Sequence, residues 1–294
     1  MLHTPLDLVK LTSLMEITSG RPDVIIGLID GPVAVSNPDL VRENIRERSG
    51  KISGSCVQSQ SIACAHGTFV AGILCAKRDS GAPAICPGCT LLVRPIFAET
   101  TSLNKLIPSA TPEELAMAII ECIDVGTRLV NLSAALAQSP SGKGDRALVE
   151  ALDYAVARGV IVVAASGNQG TVGSTAITRH PAVIAVIACD RRGRPLSLSN
   201  LGSSIGRRGL SAPGEGVTSL SADGKTLPSE GTSVAAPFVT GAIALVWSEF
   251  FDASASQLRS AVTQAHAHRR PTVVPALLNA WAIHNVMRAI YGRD

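Results

Sequence analysis

Five short, branched and apolar runs, at residues 24–29, 91–93, 129–132, 160–165 and 183–188, constrain the fold of this chain more than any other feature of it. None alternates polar with apolar residues, so each reads as a strand covered on both faces. Helical stretches separate them at 67–77, 112–125 and 145–158, the last with Leu148, Leu152, Ala155 and Val156 at helical spacing. Strands alternating with helices predict an α/β fold: a mainly parallel central sheet with helices on both faces. Two more helices are expected at 254–266 and 275–291. With 294 residues, 46% of them apolar, and no internal repeat or Pro/Ser-rich linker, the chain reads as one domain, 1–294.

Charge and hydropathy exclude several kinds of partner. Net charge is only +3, and Arg191-Arg192, Arg207-Arg208 and Arg269-Arg270 read as solvated loop charges, not a basic face, so no nucleic acid is expected. Pro237 and Gly241 interrupt the longest apolar stretch, which argues against a membrane span. No basic segment followed by an apolar core opens the chain, so a cytoplasmic location is expected. Seven cysteines leave at least one unpaired. Cys86-Pro87-Gly88-Cys89 has a CxxC spacing but no second pair or nearby histidines to complete a zinc site. Cys56, Cys64, Cys86 and Cys89 are candidates for one or two loop disulfides, whereas Cys75, Cys122 and Cys189 read as small core residues.

Four polar residues stand out against this apolar background. Gly231-Thr232-Ser233-Val234-Ala235-Ala236-Pro237 opens a stretch, 234–247, that is small or apolar at nearly every position and must form an enclosed helix. Pro237 is expected in its first turn, where no N–H partner is needed. Ser233 would lie against free N–H groups and the positive end of the helix dipole, which favour a nearby oxyanion. Asp30 ends the first apolar run ahead of Gly31-Pro32, at the carboxyl edge of the sheet, where such folds build their crevice. His66 precedes Gly67-Thr68-Phe69-Val70-Ala71-Gly72 and would stand at the entry to a helix, as a base fixed on rigid structure. Asn168 follows the run ending Ala164-Ala165-Ser166-Gly167, with a carboxamide able to donate to an oxyanion. Alone, each would read as a cap, turn or surface residue.

Together, in the order Asp30, His66, Asn168, Ser233, they resemble the subtilisin-like serine proteases. The resemblance runs through Leu28-Ile29-Asp30, Asn37-Pro38-Asp39-Leu40, His66-Gly67-Thr68, Asn131-Leu132-Ser133, Ala165-Ser166-Gly167-Asn168, Ser199-Asn200-Leu201-Gly202, Ala212-Pro213-Gly214 and Gly231-Thr232-Ser233. It implies a three-layer subtilisin-like fold and a serine endopeptidase that needs no cofactor. In that reading Ser233 attacks the scissile carbonyl, His66 moves the proton and Asp30 orients His66. Asn168 and the Ser233 N–H form the oxyanion hole, with Thr232 as an auxiliary donor. An extended peptide, or a precursor protein, would pair near Ser133. The pocket for the residue before the cut would be walled by Ser133, Ala134, Ala135, Ala165, Ser166 and Gly167, and the methyls of Ala134-Ala135-Leu136 should narrow it toward small residues.

Departures from the family pattern refine these expectations. Glu230, ahead of Gly231, is expected to raise the pKa of His66. Arg78 to Ala84 is short, with Asp79 its only carboxylate, so no metal is expected there. Asp30-Gly31-Pro32-Val33 and Arg94-Pro95-Ile96-Phe97 resemble the cyanobactin-maturation branch, which implies cutting of ribosomally made precursor peptides. Ring-closing members of that branch carry extra helices between the Asp and His motifs, and only 35 residues separate Asp30 from His66 here. A cleaving protease is therefore favoured over a macrocyclase, with a peptide-binding pseudoprotease as the remaining alternative.

Overall fold

In the computed structural model, which describes residues 4–48, 52–99, 110–133, 143–266 and 272–292, the apolar runs pair as expected. The strands are β1 (Ile25–Asp30), β2 (Ile45–Glu47), β3 (Thr90–Pro95), β4 (Leu129–Leu132), β5 (Ile161–Ala165), β6 (Val183–Cys189), β7 (Leu210–Pro213), β8 (Val217–Leu220), β9 (Thr226–Ser229) and β10 (Ala276–Leu277). Among the described residues, eight form one sheet in the order β10-β7-β6-β5-β4-β1-β3-β2, with every pairing parallel. β8 and β9 form a separate antiparallel hairpin.

The helices are α1 (Pro5–Leu8), α2 (Leu11–Ile17), α3 (Ile62–Cys75), α4 (Pro112–Asp124), α5 (Lys143–Ala157), α6 (Ala176–Arg179), α7 (Ser203–Arg208), α8 (Thr232–Glu249), α9 (Ala255–Ala265) and α10 (Ala280–Tyr291). Local chemistry sets several of these boundaries. α4 opens on a Thr111–Glu114 capping box with Pro112 in the first turn, and α9 on a Ser254–Gln257 box. α10 starts five residues later than the apolar pattern predicts, because Asn279 caps it and the preceding residues pair as β10. α3 starts five residues earlier than expected, at Ile62, so His66 lies in its second turn and not at its entry.

Strand periodicity sorts the side chains into two layers. Ile26 and Leu28 join the core that α3 and α8 cover, while Ile29, Val130 and Leu132 face the core under α4 and α5. β1 and β4 are neighbours whose onward connections diverge, through α3 on one face and α5 on the other. Such a switch point opens a crevice at the carboxyl ends of the strands. Asp30 and Ser133 lie there, at the ends of β1 and β4.

Candidate active site

Asp30 has the same parity as Ile26 and Leu28, so it points to the face that carries α3. It is fully buried, and its Oδ1 accepts the Gly31 N–H at 2.6 Å and lies 2.6 Å from His66 Nδ1. A carboxylate can only accept, so Nδ1 carries the hydrogen and Nε2 keeps its lone pair. The two elements meet because neither contact residue has a Cβ. A methyl on Gly31 would strike the Ala63 carbonyl, and one on Gly67 would strike the carbonyls of Gly31 and Pro32. The imidazole remains 34% exposed toward the crevice. Burial, the largest single influence, pulls its pKa down, but the Asp30 charge and hydrogen bond together outweigh it, and the net shift is upward.

Ser233 is the second residue of α8, half-buried, and the helix enters through Gly231 at φ 128°, a backbone that side chains rarely adopt. Pro237 is therefore the sixth helical residue and not part of the first turn, so its missing N–H would have met the Ser233 carbonyl. The neighbouring N–H groups are spent: Thr232 donates to Asn168, and Val234 and Ala235 donate to the Gly231 carbonyl. Among the described hydrogen bonds none uses the Ser233 N–H, and none joins Ser233 Oγ to His66. In hydrolases this last contact often tightens only around substrate.

Asn168 follows β5 and is oriented by two donors. Its Oδ1 accepts the Thr232 N–H at 2.9 Å and the Thr232 hydroxyl at 2.8 Å. An N–H cannot accept, so the atom facing it must be the carboxamide oxygen, and Nδ2 is left to donate. This amide end lies beside Gly231, where a Cβ would be 2.9 Å from Nδ2. Thr232 is thus not an oxyanion donor as expected: its hydroxyl hydrogen goes to Asn168, and its oxygen accepts the Gly167 N–H.

Beside Asn168 opens a cavity of about 530 Å³, lined by Ser166, Gln169, Thr171, Thr175, Thr178 and Asn200 among others. Ser166 is 3% exposed, and its hydroxyl has no partner among the described residues. Of the expected pocket walls, Ser133 is buried, Ala165 is half-buried and Gly167 sits at φ 101°. Ala134 and Ala135, on which the small-residue expectation rests, lie outside the described residues. The lining by Gln169, residues 171–175, Thr178 and Asn200 was not foreseen. Their run of neutral hydroxyl and amide groups after Asn168 was the available signal.

Two other expectations are corrected. Glu230 is exposed and does not act on His66, whose upward shift comes from Asp30. Cys56 and Cys64 are disulfide-bonded, but Cys86 and Cys89 are free and fully buried, packed with Cys75 in the core. Small thiols inside a close-packed layer behave as apolar residues. Among the described residues Cys56, Cys64 and Glu99 approach as a metal site would, yet both sulfurs are spent in the disulfide. No helix of the described residues is long and apolar enough to cross a membrane.

The sequence model of the Subtilase family matches residues 21–279. Subtilisin DY from Bacillus licheniformis is 32% identical over 243 residues, covering 81% of this chain and 81% of that protein. Subtilisin E from Bacillus subtilis (strain 168) is 31% identical over 77% of this chain, which spans only 56% of that protein. Among solved structures, a point mutant of the PatA protease domain superposes with a TM-score of 0.82 at 28% identity, covering 92% of this chain and 97% of the other. The prenylagaramide maturation protease PagA gives 0.81 at 26%, covering 94% and 98%. The PatG macrocyclase domain shares the fold, with a TM-score of 0.80 at 18% identity over 100% and 99%.

Proposed function

We propose that this chain, which belongs to the subtilase family and is a serine endopeptidase, cuts ribosomally made precursor peptides through an acyl-enzyme on Ser233. Ser233 Oγ attacks the scissile carbonyl while His66 Nε2 takes its proton, and Asp30 steadies the imidazolium that forms. The tetrahedral oxyanion is held by the Ser233 N–H and Asn168 Nδ2. His66 then gives the proton to the leaving amine, and water resolves the ester. The single observation that carries this reading is the 2.6 Å contact from buried Asp30 to His66 Nδ1, which leaves Nε2 basic toward the crevice.

The substrate class is supported by the likeness to PatA and PagA, both named maturation proteases. The peptide would lie along the crevice beside Ser133, with the side chain before the cut entering the cavity at Ser166. The layers that cover the sheet support reading residues 1–294 as one peptidase domain. We also propose a cytoplasmic location, where Cys56 and Cys64 would be held as thiols and not as the disulfide of the structure; their redox state in freshly lysed cells checks it.

A fluorophosphonate probe tests the nucleophile. Labelling at Ser233 alone, lost in Ser233→Ala and His66→Ala, is expected; an unlabelled wild type would instead make the chain a peptide-binding pseudoprotease.

A further inference from the structure

Pro237 leaves the Ser233 carbonyl without the intrahelical N–H that every interior helix carbonyl has. The structure supplies another donor. Ser133 Oγ, at the end of β4, donates to the Ser233 carbonyl at 3.1 Å. Ser133 Oγ in turn accepts from Asn131 Nδ2 at 2.7 Å, and Asn131 Oδ1 accepts from Thr240 Oγ1 at 2.7 Å, two turns along the same helix α8. Asn131 and Thr240 are fully buried and Ser133 nearly so.

The direction of every bond in this chain is dictated by chemistry. The Ser233 carbonyl can only accept, so the Ser133 hydrogen goes to it and Ser133 must accept from the NH₂ of Asn131. That leaves Asn131 Oδ1 to accept from Thr240, whose hydroxyl also lies 3.3 Å from the Ala236 carbonyl. The serine that carries the nucleophile is thus tied by its own backbone to a strand, not to the next turn of its helix.

We infer that Asn131, Ser133 and Thr240 form a positioning relay that replaces the hydrogen bond Pro237 cannot make and fixes the backbone of Ser233 relative to the sheet edge carrying Asp30 and Asn168. The inference rests on Ser233 being the nucleophile. Thr240 is remote from the crevice and touches no reacting atom, so its effect must travel through Asn131 and Ser133. It should appear in the rate of bond formation and not in binding. Pro237 and Ser133 should be coupled, because restoring the helical N–H makes the Ser133 hydroxyl redundant.

The test measures fluorophosphonate labelling as a maximal rate and a half-saturating concentration, on full chains whose folding is checked by circular dichroism. Thr240→Val is expected to slow the maximal rate about tenfold with half-saturation within about twofold, and Thr240→Ser to recover it. Ser133→Ala should be slow in the native background, yet cost less than about twofold once Pro237→Ala has restored the N–H. Equal rates for wild type, Thr240→Val and Ser133→Ala would overturn the relay while leaving the nucleophile intact. A slow Thr240→Val that Thr240→Ser does not recover would overturn it too. An unlabelled wild type would remove both the nucleophile and the relay.

Discussion

At Asn168, hydrogen-bond chemistry decides which way a near-symmetric side chain faces. Both Thr232 donors hold Oδ1, so Nδ2 is presented where the oxyanion would form. Asn168→Ala is expected to lower kcat about 10²–10³-fold with KM little changed, the size of effect subtilisin shows on losing its oxyanion asparagine. A raised KM with kcat unchanged would mean that Asn168 binds substrate instead. At His66 the sign of the pH effect follows from the charge of Asp30. The base must be neutral to take a proton, and a carboxylate that stabilises the imidazolium raises its pKa above 6.5. The acid limb of kcat/KM should therefore lie above 6.5, with activity lost as pH falls through it. Asp30→Asn should move that limb to lower pH and cost about 10⁴ in kcat. Glu230→Gln should leave the limb in place, since that carboxylate is exposed and does not act on His66. A limb that moves with Glu230→Gln and not with Asp30→Asn would reverse this assignment.

Elements rather than single residues decide how α3 is held. Its second turn carries His66, and its first turn carries Cys64, which is bonded to Cys56 eight residues earlier. Glu99 braces the same loop by accepting the Val57 and Gln58 N–H groups at 2.9 and 2.6 Å. Closing so short a loop stabilises the fold by about 2–3 kcal/mol on a chain-entropy estimate. The Cys56→Ser, Cys64→Ser double variant should unfold at lower denaturant, with an m-value equal to or slightly above that of the parent because the unfolded chain loses a cross-link. It should keep most of its activity, because the Gly31 and Gly67 contacts hold α3 on β1 independently of the sulfurs. Loss of activity without loss of stability would assign the disulfide to the site instead. How legible these elements were depended on their chemistry. The central strands carry unbroken branched runs and were readable to within one or two residues. β2 and β10 are edge strands of three and two residues, with Arg46 and Glu47 exposed, and leave no apolar signal. β7, Leu-Ser-Ala-Pro, lacks β-branched residues and is a strand only because β6 and β10 flank it. Asp30, His66, Asn168 and Ser233 were legible because each adjoins an apolar run. The bond from Ser133 to the Ser233 carbonyl was not, since it joins residues 100 positions apart that only the folded sheet brings together.

Over the whole molecule, the architecture around the crevice bears on which nucleophile would resolve the proposed acyl-enzyme. Hydrolysis and ring closure share every step up to that ester and differ in whether water or an amine attacks it. A macrocyclase has to hold water away until the peptide's own amine arrives. In this chain the described part of the connection from β1 to α3 consists of a 3₁₀ turn (Arg42–Asn44), the edge strand β2 and the disulfide loop. β2 is spent on the sheet edge, and the disulfide loop is pinned back onto α3. The His66 ring meanwhile stays 34% exposed at the crevice, so solvent reaches the group proposed to activate the second nucleophile. The likeness to the PatG macrocyclase domain, at 18% identity, concerns the fold and does not bear on this step. Incubation with a peptide that carries a leader-like segment ahead of a candidate cut should therefore give linear fragments only. In ¹⁸O-enriched water the new carboxyl terminus should carry the label, and millimolar added amine should capture little of the acyl group. Mass spectrometry reads both. A dominant product one water lighter than the linear fragment, without ¹⁸O, would assign the chain to transamidation and require a shield over His66 that closes only when peptide is bound.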